Sequence, residues 1–312
     1  MICKSVEEFL KKYAEGCYVS DLEFLDENMY KELFKYCIEL NTDESLLLAG
    51  RLYNQGIGVE KDLVESFKIY EKLANKGIAQ AQYNLAIAYD NGEGVEADLS
   101  KAFNWYTKSA QQGYKDAQFN LGGMYYDGLG VEQDFEKALY WYLKAAEQGD
   151  MDAQYNVAFQ YSRGLGTKQD YEQAFKWHML AAKQGQVTSQ NIVARMYYDG
   201  SGVEQSFEQA LYWFEKAARQ GHIDSQLNAA LMYKNGEGTE EDNEKSFYWY
   251  NIAGENDNAF AMYMLSKAYR EGLGVEKDLY KALHLALCSV GRGYLKATKL
   301  FYEIQEEIKN KR

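Results

Sequence analysis

Gly58, Gly94, Gly130, Gly166, Gly202, Gly238 and Gly274 stand 36 residues apart, and each follows a second glycine by two positions: Gly56, Gly92, Gly128, Gly164, Gly200, Gly236 and Gly272. Tyr53, Tyr89, Tyr125, Tyr161, Tyr197, Tyr233 and Tyr269 keep the same spacing. Seven copies in register, with no insertion, are the signature of one supersecondary unit repeated along the chain. At 312 residues the chain exceeds the roughly 250–300 residues that a single core supports. An array escapes that limit because each unit packs only on its neighbours.

One copy, AQYNLAIAYDNGEGVEADLSKAFNWYTKSAQQG from Ala81 to Gly113, shows what the unit is. Ala81, Leu85, Ala88 and Tyr89 fall on one face of a first helix. Gly92 and Gly94 end it, supplying the positive φ that side chains resist. Val95 plugs the turn. Asp98 then caps a second helix by accepting from its free N–H groups. The cap column reads Asp62, Asp98, Asp134, Asp170, Ser206, Asp242 and Asp278. Ser206 also caps well, so the column reports a cap and not a need for charge. Ala102, Trp105, Tyr106, Ser109 and Ala110 form the stripe of the second helix. All five tryptophans share one column, Trp105, Trp141, Trp177, Trp213 and Trp249, which is read as buried core. Small residues recur at Ala74, Ala110, Ala146, Ala182 and Ala218, where helices must approach closely. No proline occurs, so none breaks a helix. The prediction is an all-α fold, an α/α superhelical solenoid of seven 36-residue helix-turn-helix repeats with helical caps at both ends. The repeats are set at 45–77, 81–113, 117–149, 153–185, 189–221, 225–257 and 261–293. Residues 1–44 form an N-terminal cap through Phe9, Leu10, Tyr13, Leu22, Leu25, Tyr30, Leu33, Phe34 and Cys37. Residues 294–312 form a C-terminal capping helix with Leu300, Phe301 and Ile304 inward and Lys309, Lys311 and Arg312 at its end.

The string from Ala81 to Gly113, and DFEKALYWYLKAAEQG from Asp134 to Gly149, resemble the Sel-one-like repeat (SLR) family, a longer-loop relative of the tetratricopeptide repeat. The resemblance covers residues 45–293. It implies a concave groove lined by first helices and an adaptor role in assembling protein complexes. Some secreted bacterial relatives carry a cysteine pair in each repeat. This chain has none, which counts against an oxidising location and against the β-lactam-related activities proposed for that subgroup.

Columns fixed by packing stay constant between copies, whereas columns chosen by a ligand are free to vary. Two first-helix columns vary: Leu47, Tyr83, Phe119, Tyr155, Asn191, Leu227, Tyr263, and Arg51, Ile87, Gly123, Phe159, Arg195, Leu231, Lys267. Helical geometry puts them about 200° and 240° from Ala81, opposite the core stripe. Beside them stand Asn84, Asn120, Asn156 and Asn228, whose amides can either bridge neighbouring helices or pair with a peptide backbone. Tyr126 and Tyr198 add aromatics one turn on. A partner-binding surface is therefore expected from Tyr83, Asn84, Ile87, Phe119, Asn120, Tyr126, Tyr155, Asn156, Phe159, Arg195, Tyr198, Asn228, Leu231 and Lys267. A segment would lie on Tyr83, Phe119, Tyr155 and Phe159, with Arg195 and Lys267 meeting its acidic groups. In the tetratricopeptide relatives, such positions contact peptides.

Other chemistry finds no support. The net charge is −13, with no basic patch for nucleic acid or an anionic membrane. Nearly half of that acidity falls in the first 44 residues, which suits a solvated cap or a basic partner. No stretch approaches 18 apolar residues, and the start lacks the apolar run of a signal peptide. Cys3, Cys17, Cys37 and Cys288 fit no metal spacing and read as free thiols in a reducing, cytoplasmic setting. His178 occupies the ring column of Tyr106, Tyr142, Phe214 and Tyr250, while His222 and His284 lie elsewhere. No triad or metal site assembles from them, and no cofactor is expected. Gly-x-Gly here is a turn and not a phosphate loop. The function expected is a non-enzymatic scaffold binding a protein or peptide. The alternatives are an effector or immunity-type binder of one specific enzyme, and a β-lactam or cell-wall-directed hydrolase, for which no nucleophile and base are visible.

Overall fold

A computed structural model describes residues 26–310. Cys3, Cys17, Phe9, Leu10, Tyr13, Leu22, Leu25, Lys311 and Arg312 lie outside the described residues. Those described are helices joined by tight turns, without a strand. They run α1 Glu27–Leu40, α2 Asp43–Gln55, α3 Leu63–Asn75, α4 Ala79–Asn91, α5 Leu99–Gln111, α6 Lys115–Asp127, α7 Phe135–Glu147 and α8 Met151–Arg163. There follow α9 Tyr171–Lys183, α10 Val187–Asp199, α11 Phe207–Arg219, α12 Ile223–Asn235, α13 Asn243–Glu255, α14 Ala259–Glu271, α15 Leu279–Gly291 and α16 Ala297–Asn310. From α2 to α15, even-numbered helices are the first helix of a repeat and odd-numbered ones the second. The chain forms two compact units, one to Ala153 and one from Gln154. Within each, successive hairpins stack on one another.

The hairpin turn follows from the glycine pair. Gly236 ends α12 in the left-handed region at φ 68°, donating to the Met232 carbonyl. The Asp242 N–H then donates to the Tyr233 carbonyl at 2.9 Å, closing the loop, and the tyrosine column repeats this bond from Tyr53 to Tyr269. Gly238, also at positive φ, has a second duty. A Cβ there would enter the Phe207 carbonyl at the start of α11, so only hydrogen lets this turn rest on the preceding repeat. Each cap residue accepts as its chemistry predicts: Asp98 from the Lys101 N–H at 3.0 Å and Ser206 from Gln209 at 3.3 Å. Bonded by these N–H groups, Asp98, Asp134 and Asp242 are held below the ordinary aspartate pKa.

The hydrophobic stripes meet inside each unit. Leu73, Ala81, Leu85, Tyr106 and Leu121 are buried in the first, and Val193, Phe214, Met232, Trp249 and Leu265 in the second. At the ends, Leu33 and Cys37 of α1 pack against α2, and Leu300 and Ile304 of α16 are buried, with Phe301 against them. The tryptophan column is not uniformly core. Trp177, Trp213 and Trp249 are buried, but Trp105 and Trp141 are half-buried. Trp105 lies under the Lys108 ammonium, 3.8 Å from its ring centre. A half-buried indole in this position can hold a cation over its ring.

A glutamine seam missed in the sequence ties the hairpins together. Gln82, Gln118, Gln190 and Gln226 are buried on first helices, and each donates to the alanine carbonyl eight residues earlier, on the previous second helix. The acceptor oxygens of Gln82, Gln118, Gln154 and Gln190 receive Gln112, Gln148, Gln184 and Gln220 at 2.7–2.9 Å. Two buried polar groups are thereby satisfied per repeat. In the sixth repeat the donor is Asn256, one methylene shorter. It turns back to the Ile252 carbonyl, and the Gln226 Oε1 is left buried without a partner.

Three substitutions test these contacts by chemical unfolding. Gly221→Ala is strained only by its φ of 88° and meets nothing within 4 Å; it should cost about 1 kcal/mol. Gly238→Ala adds the backbone collision and should cost about 3 kcal/mol or more. Equal costs would contradict the inter-repeat contact. Asn256→Gln should stabilise by about 1 kcal/mol by reaching Gln226, and a neutral or destabilising result would count against the seam.

Candidate functional site

The ring column decides where the surface is open. On three first helices an aromatic side chain closes over the ring of its own second helix. The ring centres lie 5.9 Å apart for Tyr83 on Tyr106, 5.7 Å for Phe119 on Tyr142 and 5.6 Å for Tyr155 on His178. These rings are half-buried, and Leu47 and Asn191 of the same column are buried. The expectation that this column is free of packing duty is therefore corrected. At about 200° from Ala81, a side chain still leans across onto the partner helix. The neighbouring column at about 240° does stand outward: Arg195 and Leu231 are exposed, and Ile87, Phe159 and Lys267 half-buried.

In the first unit the predicted residues are bound into this packing. Tyr83 also meets Tyr114, at 5.0 Å between centres. Burial foremost, with the Asp116 charge behind it, pushes its pKa up to about 12. The Asn120 amide works against that rise at both Tyr83 and Tyr106, and the Tyr106 hydroxyl donates to Asp90 at 3.4 Å. Tyr126 stands edge-on to Phe135 at 5.2 Å. Asn84 and Ile87 are half-buried, Ile87 against the core.

In the second unit the fifth repeat departs from the rest. Asn191 stands where other copies carry a ring or a leucine, so α10 sets no ring of this column over Phe214 of α11, which is itself buried in the core. A cleft of about 450 Å³ opens there. Phe214, Met232 and Leu227 supply its apolar wall, and Leu231 stands at its rim. Arg195, Tyr198, Asn228 and the carboxylates of Asp199, Asp224 and Glu237 surround it. Glu237, in the turn after α12, accepts the Tyr198 hydroxyl at 3.1 Å. Burial, then this carboxylate, raises the Tyr198 pKa. The structure thus brings together Arg195, Tyr198, Asn228 and Leu231 among the predicted residues. Tyr155, Asn156 and Phe159 stand outside the cleft, and Phe159 is 5.8 Å from the Arg163 guanidinium. Lys267 lies 5.9 Å over the Tyr263 ring and lines a separate hollow of about 30 Å³. The sequence reading missed Asn191, Phe214, Asp199, Asp224 and Glu237. Its available signal was Asn191 itself, a small polar residue in a column otherwise aromatic or leucine.

Among the described residues no group of three His, Cys, Asp or Glu is placed to hold a metal, and no helix is long and apolar enough to cross a membrane. His178 is buried, with Nδ1 3.2 Å from the Ser189 hydroxyl, as its place in the ring column predicts. Burial pulls its pKa down to about 4.

The Sel1 repeat family model matches residues 44–78, 79–114, 115–150, 152–186, 187–222, 223–258 and 259–294. No curated protein matches the chain. Among solved structures, it is similar to a protective antigen of uropathogenic Escherichia coli displaying an SLR fold. That match has 29% identity and a TM-score of 0.83, covering 98% of this chain and 68% of the other. A Sel1 repeat protein from Oxalobacter formigenes matches at 31% identity and a TM-score of 0.60, covering 72% of this chain and 91% of that one. A tetratricopeptide-repeat sensor ATPase from Pyrococcus horikoshii shares the fold alone, at 18% identity and a TM-score of 0.50, over 98% of this chain and 48% of that one.

His178 offers a check on burial through pH. The unfolded histidine takes up a proton near pH 6.5, while the folded one resists until about 4. Its contribution is intact above pH 6.5 and is lost as pH falls through that window, on the order of 2 kcal/mol by pH 5. His178→Tyr, the residue of equivalent repeats, should remove this part of the acid sensitivity in unfolding measured from pH 7 to 4.5. An unchanged pH slope would contradict the buried neutral imidazole.

Proposed function

The chain belongs to the Sel1-repeat family, and from that premise we propose that it is a non-enzymatic scaffold holding a peptide segment or partner protein on the exposed side of its first helices. Repeats of this kind generally serve protein–protein interaction. One observation carries the reading for this chain: the cleft between α10 and α12 gathers side chains that the stack does not use. Arg195 and Leu231 project outward, and Asn228 offers an amide beside them. A cleft that combines an apolar wall with a few convergent polar groups is the usual form of a recognition site. Large side chains with little packing duty are where binding energy concentrates.

Taken unit by unit, the reading includes Ile87 with the half-buried Asn84 in the first and Phe159 with the half-buried Asn156 in the second. Tyr83, Phe119, Tyr126 and Tyr155 present only the ring edges left uncovered by their packing, and Asn120 what remains of its amide. Lys267 would serve a neighbouring stretch of the ligand. Cys37 and Cys288 are free thiols, which supports a reducing, cytoplasmic setting.

A random 12-residue peptide library displayed on phage and panned on the full chain should yield binders in the micromolar range. Arg195→Glu with Leu231→Glu should weaken them at least tenfold while leaving the unfolding temperature within about 2 °C. Absence of binders, or binders indifferent to this double variant, would overturn the proposal.

A further inference from the structure

The cleft has a shape that the other repeats explain. In repeats two, three and four, an aromatic ring from the first helix occupies the space over the second-helix ring. In repeat five the second-helix ring is present as Phe214, but the first helix offers Asn191. The array therefore contains one socket in which the first helix sets a small polar residue, neither ring nor leucine, against a buried second-helix ring, with an open cleft beside it. We propose that this socket takes an aromatic side chain from a bound peptide, with a lysine or arginine beside it; this inference rests on the peptide-scaffold reading.

Three features support that occupant. The first is the packing of repeats two, three and four, where an aromatic ring is what lies against the second-helix ring. The second is Asn191. It is about nine-tenths buried and lines the cleft. Its Oδ1 accepts from the Ser225 hydroxyl at 3.0 Å, which fixes the amide orientation. Its Nδ2 then has no hydrogen-bond partner among the described residues. This N–H₂ stays open to the cleft, where a peptide carbonyl can take the place of water as its acceptor. The third is charge. Asp199, Asp224 and Glu237 border the cleft against the single cation Arg195, so the rim favours a cationic neighbour to the ring. Arg195 remains to pair with a carboxylate or carbonyl further along.

The other chemistry on the molecule does not compete. The hollow beside Tyr250 is too small for a side chain, at about 30 Å³, although the Tyr250 hydroxyl is buried without a partner. The carboxylates of Glu303 and Glu307 are already taken up by Arg270.

The test uses the same panning on the full chain and follows the enriched peptides by fluorescence polarisation. They should share an aromatic residue next to Lys or Arg. Replacing that aromatic by alanine should weaken binding at least tenfold, and replacing the basic residue by glutamate at least threefold. Asn191→Tyr fills the socket with the residue of the second and fourth repeats. It should abolish binding at least tenfold with an unfolding temperature that is unchanged or higher. Asn191→Leu, using the residue of the first and sixth repeats, provides the same test if the tyrosine is not accommodated. Binders without a shared aromatic, or binders that tolerate both Asn191 variants, overturn the socket. If those binders still respond to Arg195→Glu with Leu231→Glu, the scaffold reading stands without it; if no binder emerges, both fall.

Discussion

Each helix of this chain has a stripe it cannot bury alone, and the whole architecture depends on how one hairpin meets the next. The meeting point is narrow. A turn glycine lies so close to the backbone opening the preceding second helix that Gly238 has no room for a Cβ beside Phe207. The glycine pair is thus two constraints in one motif: the first member sets the chain's handedness at the helix end, and the second sets the distance between neighbours. Nearest-neighbour stacking of this kind makes stability a sum over local contacts. It also explains why the 36-residue period tolerates no insertion: an added residue would move the turn off the backbone on which it rests.

Between those contacts runs a polar seam that a purely apolar stack would not need. The glutamine amides join three helices through two hydrogen bonds per repeat. Helix pairs held only by alanine and tyrosine could slide or rotate at little cost, whereas an amide pair in a buried setting is satisfied at one geometry. The sixth repeat shows the same rule through its exception. Asn256 is chemically the same donor but one carbon too short, and the Gln226 oxygen is stranded. The direction of the bonds matters as well. Gln82, Gln118 and Gln190 each spend their N–H₂ on the previous repeat and their oxygen on their own, so the seam couples the repeats within each unit.

Much of this was legible in the sequence because the period isolates each column. Glycine spacing predicted the turns, Asp98 and its equivalents predicted caps, and the substitution of Ser206 identified the cap as a hydrogen-bonding role. Three things were not legible. The glutamine seam escaped because glutamine reads as a surface residue in a helix, and its burial becomes visible only when two helices from different positions are superposed in space. The tryptophan column was read as one environment, yet Trp105 and Trp249 differ in burial because exposure depends on the neighbours of each copy and not on the column. The ring column was placed opposite the core by helical angle alone. A helix in a stack has more than one neighbour, however, and Tyr83 faces its own second helix while the true core stripe faces elsewhere. The neighbouring column, singled out by its variation, holds Arg195 and Leu231 exposed and Ile87, Phe159 and Lys267 half-buried.

The same reasoning shows how an array of near-identical hairpins acquires an individual site. A repeat protein cannot reshape its backbone locally without disturbing both neighbours, so its freedom lies in side chains that are not shared by every copy. Removing one covering ring is an economical way to use that freedom. It leaves the backbone, the cap, the glycine turn and the glutamine bonds of the fifth repeat in place, and it opens a volume whose walls are already preformed. Preformed walls carry little ordering cost on binding. The tyrosine at 198 and the glutamate at 237 are locked to each other across adjacent repeats, so the rim is also held before any ligand arrives. A site made by subtraction inherits the rigidity of the stack around it, which is why the departure at Asn191 carries more information about recognition than the conformity of the columns beside it.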